Sequence, residues 1–237
     1  MRQLLTLIFS FVFAAPLMAQ AEFEANSVFD ANIVSAGDGV TFAWEVFPEN
    51  EDVFLEGVAS GFADTSDESS SASLAVGEIF GLFALTGGEA TNGGLSSTVA
   101  ESFGLLTVEN TASSAQAFEV ELDWSILADT IAFDTNVDQA LSDSFISVFL
   151  DFDTVLLDQS VSSNSFFDDG RSELGDSLFL GFELDPGQIV EFDFLVSTSG
   201  LASNSSVVPE PNATFLMTMA FTGIALLRKR NWQHGLS

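Results

Sequence analysis

Carboxylates are the side chains of this sequence that could do chemistry. Asp134, Asn136 and Asp138 form the spacing D-x-N-x-D, with which many calcium loops begin, because alternate residues present oxygen atoms to one ion. An EF-hand also needs glycine at the sixth position and glutamate at the twelfth, where this chain has Gln139 and Phe145. The segment is therefore not an EF-hand, and its three oxygen-bearing residues stay candidate ligands for Ca²⁺.

A second pair of candidate ligands, Asp168 and Asp169, stands directly before Gly170 in a segment typical of a turn. The competing interpretation is that all of these acids lie on solvated loops and outward strand faces. Asp and Glu number 35 in this chain, so clusters arise at that density without a special cause. Ca²⁺ is the one cofactor that the sequence suggests, and none is required.

The charge balance restricts the partners of the chain. Its 237 residues include 35 Asp and Glu against 5 Lys and Arg, which gives a net charge of −30. Such a chain repels phosphate backbones, so nucleic acid is excluded as an electrostatic partner. Disorder is not expected, because 47% of the residues are hydrophobic and 25 are Phe, enough to form a core.

The distribution of residue types argues against most enzymes. Between residues 22 and 207, Arg171 is the single base, and His, Cys, Lys and Tyr do not occur there. Catalytic triads, thiolate nucleophiles, Schiff-base lysines and zinc sites with His or Cys ligands are therefore ruled out within that stretch. A glycosidase that uses two carboxylates is the enzyme class that stays open.

The N-terminus has the layout of a secretory signal peptide. Arg2 precedes the apolar run LLTLIFSFVFAA at residues 4–15, and the small residues Ala19 and Ala21 follow. The apolar run is too short to span about 30 Å of hydrocarbon. The sequence therefore predicts a signal peptide over residues 1–21 that is cleaved after Ala21.

The C-terminus contains three parts in a fixed order. Pro209-Glu210-Pro211 is followed by an uncharged apolar stretch at residues 213–227 and then by the bases Arg228, Lys229 and Arg230. The stretch predicts a short transmembrane helix, and the bases predict a cytoplasmic tail at residues 231–237. The alternative is an apolar core helix that ends in bases which complement its dipole.

These parts carry a resemblance to a known family. Residues 208–230 are similar to the PEP-CTERM sorting signal of exported Gram-negative proteins, although seven residues follow the bases here, where the family usually ends sooner. The resemblance implies that exosortase, a membrane-embedded cysteine protease, recognises Pro209, Glu210 and Pro211, and that the basic cluster stops transfer through the membrane. It also implies a transient inner-membrane anchor with the body in the periplasm, followed by release to the cell surface or extracellular matrix.

The residues between the two ends alternate with the period of β-strands. Phe118, Val120, Leu122 and Trp124 point one way, for example, while acids point the other. The pattern predicts a single all-β domain at residues 22–196, an antiparallel β-sandwich or jelly-roll-like fold, followed by a Ser-rich linker at 197–208. It predicts turns at residues 86–88 and 92–94, and it leaves residues 126–133 ambiguous.

Three functions are compatible with these features. The first is an exported, surface-sorted structural or biofilm-matrix protein that is not an enzyme, with the secretion machinery and exosortase as partners. The second is a module that binds carbohydrate or exopolysaccharide with the help of Ca²⁺, and the third is the carboxylate-dependent glycosidase. The first is the principal expectation, because the sorting signal is the most specific pattern in the chain.

Overall fold

The computed structural model describes residues 20–65, 70–133, 138–165 and 170–205. The chain divides into two units, Met1–Ser206 and Val207–Ser237, and only the first contains described residues. The signal peptide up to Ala19, the sorting motif, the apolar stretch and the basic cluster therefore lie outside the described residues. What the sequence predicts for these segments therefore stays a prediction.

The described residues form nine β-strands and no helix. Every paired strand runs antiparallel to its neighbour, so the expectation of an all-β, antiparallel domain is confirmed. The strands are β1 (Gln20–Ala36), β2 (Val40–Thr65), β3 (Ser70–Leu74), β4 (Ile79–Asn110), β5 (Gln116–Ala132), β6 (Asp138–Leu150), β7 (Thr154–Asn164), β8 (Arg171–Leu184) and β9 (Ile189–Asn204).

One hydrogen-bonded sheet contains all of these strands. Its order is β7-β6-β9-β4-β1-β5-β8, and β2 pairs with β4 and with the short strand β3. β4 joins the two parts of the sheet, because its residues 79–91 pair with β1 and its residues 95–109 pair with β9. The sheet therefore has two layers connected through β4 and its partner β2.

The connection between the layers is a bend in two long strands. Asn92 and Gly93 of β4 have φ angles of 49° and 79°, and Gly57 of β2 has a φ angle of 68° beside a shift of register. Glycine adopts such angles without steric cost, which favours a bulge at this position. The turn predicted at residues 92–94 is present as a bend within β4, and these three residues pair with no described neighbouring strand.

The two layers pack face to face, so that the domain is nearly barrel-shaped. The ring of Phe29 on β1 lies 4.6 Å from the ring of Phe194 on β9. The Ser142 hydroxyl on β6 donates a 2.7 Å hydrogen bond to the carbonyl of Glu24 on β1. Strands β8, β5 and β1 thus form one layer, and β7, β6 and β9 form the facing layer.

The interior between the layers has two unlike halves. The aromatic half is filled by large side chains, and the hydroxyl half by small and polar ones. The aromatic half consists of Phe29, Phe42, Trp44, Phe80, Leu82, Leu106, Phe118, Leu122, Trp124, Phe192 and Phe194. The hydroxyl half includes Ala25, Ser27, Thr86, Ala90, Ser96, Thr98, Ser102, Ala128, Thr130, Ala140, Ser142, Ser144, Ser163, Thr198 and Ala202, with a single buried aromatic ring, Phe23, among them.

The strands extend beyond the predicted bounds of the domain. β9 continues to Asn204, so that residues 197–204, which were expected to be a linker, pair with both β4 and β6. Thr198 and Ala202 point inward there, and their small side chains fit the hydroxyl half. The ambiguous residues 126–132 belong to β5, and β1 begins at Gln20.

Candidate functional site

The acids singled out as calcium ligands are only partly within the described residues. Asp138 is fully buried at the start of β6, where its Oδ1 accepts a 2.6 Å hydrogen bond from Nδ2 of Asn204 on β9. This contact joins two neighbouring strands at the end of the hydroxyl half. The other candidates, Asp134, Asn136, Asp168 and Asp169, lie outside the described residues.

Two carboxylates hold the turn between β6 and β7. Asp151 and Phe152 both have positive φ, and Asp151 Oδ1 accepts the backbone N–H of Glu191 at 3.0 Å. Asp193 Oδ2 accepts the N–H of Phe152 at 3.1 Å. Asp193 is only 2% exposed, and this burial raises the pKa of its carboxyl group, with a smaller contribution from the nearby charges of Glu191 and Asp151. The hydrogen bond from the Phe152 N–H acts in the opposite direction and lowers this pKa.

Across residues 20–65, 70–133, 138–165 and 170–205, no three acidic, imidazole or thiol side chains lie close enough together to hold a metal ion. Ca²⁺ binding therefore stays a prediction.

A shallow cleft of about 350 Å³ lies on the outer surface of the layer that contains β1. It forms where β1, β2 and β4 run side by side, and its lining includes Glu22, Ser60, Phe62, Gly87 and Glu89. Phe62 is 48% exposed, and a Cβ atom on Gly87 would lie only 2.5 Å from its Cε1. A Cβ atom at position 87 would therefore displace the ring from its place against β4.

Acidic side chains surround this cleft. Glu22 on β1 lies directly opposite Glu89 on β4, and Glu24 on β1 lies opposite Asp129 on β5. Like charges in directly opposite positions destabilise a sheet. An exposed ring beside carboxylates can contact the apolar face of a ligand while the carboxylates accept hydrogen bonds from its hydroxyl groups.

One base lies near these acids. Arg171 at the start of β8 donates to Glu173 Oε2 at 3.0 Å, and its Nη1 lies 3.9 Å from Asp129 Oδ2. All of these side chains are at least partly exposed, so solvent weakens the ion pairs. Arg171 therefore balances only a small part of the charge on this surface.

Sequence reasoning missed the cleft at Phe62. Residues 86–88 contain two adjacent glycines, which predicted a turn, but they lie inside β4 and that prediction is wrong. Each glycine accommodates a phenylalanine ring, Phe62 at Gly87 and Phe23 at Gly88. Adjacent glycines within an alternating pattern, with phenylalanines elsewhere in other strands, are the sequence signal that could have indicated close packing of rings on backbone.

Comparison with known proteins does not show a family for this chain. No protein-family model matches the chain, and no curated protein matches it either. Among solved structures, a candidate beta-galactosidase from Bacteroides fragilis has 9% identity and a TM-score of 0.14, with 69% of this chain and 25% of that chain covered. An anti-sigma factor domain-containing protein from Clostridium clariflavum has 10% identity and a TM-score of 0.13, with 76% of each chain covered. The chain thus spans a quarter of the first protein, and likenesses this low carry no argument about fold or function.

Within residues 20–65, 70–133, 138–165 and 170–205, no helix has the length and apolar character that crossing a bilayer requires.

Proposed function

We propose that this chain is an exported, surface-sorted structural or matrix protein that is not an enzyme and that exosortase processes at its C-terminus. The observation that carries the proposal is the order of the three parts in residues 208–230, which begin shortly after β9 ends at Asn204. A folded domain followed by a Pro-Glu-Pro motif, an apolar stretch and bases is the arrangement that the resemblance to exosortase substrates implies.

The domain also has properties suited to a place outside the cell. Its strands carry acids on their outward faces, and the sequence has no cysteine that needs a reducing compartment. We infer that the domain is a sandwich of jelly-roll-like kind, supported by the two facing layers described above. An experimental structure in which β1 does not face β9 would contradict this assignment.

The decisive experiment follows the C-terminus in a host with and without its sorting protease. We expect the chain to lose its C-terminal segment only when the protease is present, and to keep it when Pro209, Glu210 and Pro211 are replaced by alanine. Pro186→Ala, in the turn between β8 and β9, is the matched control and should be processed normally. Processing that is unchanged by the triple replacement, or by loss of the protease, would overturn the proposal.

The cleft at Phe62 favours carbohydrate binding as a second candidate function. We expect the full chain to bind some members of a panel of acidic and neutral polysaccharides, and Phe62→Ala to weaken that binding. Phe179→Ala removes a ring that is 64% exposed on β8, outside the cleft, and should bind as the parent does. Equal binding by both variants, or none by the parent chain, would exclude this candidate, and repeating the assay with a chelator tests the contribution of Ca²⁺.

A further inference from the structure

A segment of β2 has an unpaired edge among the strands that the structure describes. Residues 50–56 form a regular stretch between two shifts of register, at Pro48/Asn50 and at Glu56/Val58. One edge of this stretch pairs with residues 95–101 of β4, whereas β3 covers only residues 42–46 of the other edge. Among the described residues, no strand pairs with the outer edge of residues 50–56, so its backbone groups can pair with another extended chain.

The side chains of this segment are exposed on both faces of the sheet. Val53, Phe54 and Leu55 are 41%, 53% and 46% exposed, although they are large and apolar. Val53 and Leu55 lie opposite Thr98 and Ser96, which belong to the hydroxyl half, so these two side chains face the interior at its open edge. A strand added here would cover apolar surface as well as backbone.

The opposite face of the segment alternates between charge and an aromatic ring. Asp52, Phe54 and Glu56 lie opposite Val99, Ser97 and Leu95 of β4 and therefore share the outer face of the sheet. Both carboxylates are exposed. Glu51 differs from them, because its Oε1 already accepts a 2.6 Å hydrogen bond from the Thr65 hydroxyl.

The charges on this edge disfavour a second copy of the chain as its partner. Antiparallel pairing of two copies about Phe54 would place Asp52 of each copy opposite Glu56 of the other, between proteins of net charge −30. Bulges and charges are the devices by which natural sheets prevent such self-association. The same carboxylates would attract a strand that carries bases at the facing positions.

We propose that residues 50–56 of β2 bind an extended, basic segment of a partner protein as an additional antiparallel strand. The segment has Lys or Arg opposite Asp52 and Glu56, an aromatic residue opposite Phe54, and β-branched apolar residues opposite Val53 and Leu55. Backbone hydrogen bonds hold the strand, and the two charge pairs select it over acidic segments. The interaction goes beyond the proposed sorting and matrix function, and it does not depend on how the C-terminus is processed.

A designed peptide, Thr-Lys-Val-Phe-Val-Lys-Thr with blocked ends, tests this interaction with the full chain. Binding is measured by calorimetry at about 0.15 M salt, where charges more than about 8 Å apart are largely screened. The control peptides are Thr-Glu-Val-Phe-Val-Glu-Thr, which reverses the charge, and Thr-Lys-Pro-Pro-Val-Lys-Thr, which keeps the charge but has two adjacent prolines, so that one N–H that would pair with β2 is always missing. We expect only the first peptide to bind, and to protect from hydrogen exchange the alternate amides of residues 50–56 that point away from β4.

A pair of protein variants separates this site from attraction by the overall charge. Asp52→Asn/Glu56→Gln removes both carboxylates and should weaken binding by about tenfold. Asp176→Asn/Glu183→Gln removes the same number of charges from β8, which is another edge strand, and should leave binding unchanged. The proposal is overturned if the two double variants bind alike, if the proline peptide binds as well as the first peptide, or if protection appears outside β2. Self-association of the chain through the same edge would also contradict it.

Discussion

The aromatic half and the hydroxyl half of the interior hold the same two layers together in different ways. In the aromatic half, the Phe194 ring on β9 lies 4.6 Å from Phe29 and 5.4 Å from Trp44, so the layers are joined by buried apolar area. In the hydroxyl half, the layers are joined by hydrogen bonds, such as the 2.7 Å contact between the hydroxyls of Thr130 and Ser163. Where the side chains are small, hydrogen bonds thus replace buried apolar area as the contact between the layers.

The two halves also differ in how closely backbone and side chains approach. Phe23 is the one large ring in the hydroxyl half, and it lies against Gly88 of its own layer and Gly200 of the facing layer. A Cβ atom on Gly200 would be 2.0 Å from the ring. In the hydroxyl half, the missing side chain of glycine makes room for the ring. In the aromatic half, side chains of complementary shape pack against one another instead.

Hydrogen-bond satisfaction is uneven within the hydroxyl half itself. The hydroxyls of Ser27, Ser142 and Ser144, on β1 and β6, each donate to a backbone carbonyl of the facing layer. Hydroxyls on β4 and β9 are buried without a partner among the described residues. These are Thr86, Ser96, Thr98, Ser102 and Thr198. Buried hydroxyls without partners cost stability, so we expect this half to contribute less to folding than the aromatic half.

Phe194→Ala should give the largest effect of any single change in the comparison. The ring contacts Phe29, Trp44 and Phe80, and its removal leaves a cavity between the layers, so we expect a loss of about 3–5 kcal/mol in the free energy of unfolding. Urea denaturation followed by tryptophan fluorescence measures it. Phe179→Ala, on the exposed surface of β8, is the control and should change stability by less than about 1 kcal/mol. Equal losses in both variants would mean that the aromatic half does not dominate stability.

The aromatic half is the part of the fold that the sequence predicts best. Alternation of Phe118, Val120, Leu122 and Trp124 with acids indicates both the strand and its inward face, because large apolar residues give a strong period of two. The hydroxyl half has no such signal, since Ser, Thr, Ala and Gly are equally common in loops. Residues 197–204 therefore resembled a linker, and residues 86–88 resembled a turn, although both segments lie within strands.

The candidate site shows the same limit of prediction. The cleft at Phe62 depends on register, which places Gly87 beside the ring and Glu22 opposite Glu89. Register between strands distant in sequence is set by packing across the sheet and is not encoded in any local motif. The sequence could thus indicate that acids cover the surface, but it could not indicate which of them lie opposite one another on neighbouring strands.

Gly200→Ala tests whether the hydroxyl half depends on close approach at glycine. We expect a loss of about 1–3 kcal/mol, because the added methyl group overlaps the Phe23 ring and the ring is confined between two layers. Thermal or urea unfolding measures the change. Gly181→Ala on β8 adds the same methyl group where the nearest atom, Glu119 Cγ, is 3.9 Å away, and should be nearly neutral.

A double variant shows whether the effect of Gly200→Ala comes from the ring. Phe23→Leu removes the overlapping atoms, so the alanine should cost less in its presence than in the parent chain. If the cost of the alanine is the same in both backgrounds, contact with Phe23 is not its cause.

Two threonine substitutions should have opposite signs within the hydroxyl half. Thr198→Val replaces a buried hydroxyl without a partner by a methyl group of similar size, and we expect a gain of about 1 kcal/mol. Thr130→Val breaks the hydrogen bond to Ser163 and should cost about 1 kcal/mol. Chemical denaturation of both variants gives the comparison. A loss in both variants would show that Thr198 is bonded to ordered solvent.

Asp193→Asn should have the smallest effect, and its dependence on pH is the informative part. Asp193 lies behind the aromatic half, on the outer face of β9, and burial raises the pKa of its carboxyl group in the folded chain. Its contribution to stability is therefore greatest in acid, where the group is protonated in both states. That contribution is lost as the pH rises through the raised pKa, because the folded state must then bury a charge.

We expect Asp193→Asn to raise the free energy of unfolding by up to about 1 kcal/mol relative to the parent at pH 7 and by little at pH 4. Asp123→Asn removes an exposed charge from β5 and controls for the general relief of repulsion. If both variants gain equally at the two pH values, burial of Asp193 does not limit the stability of the aromatic half.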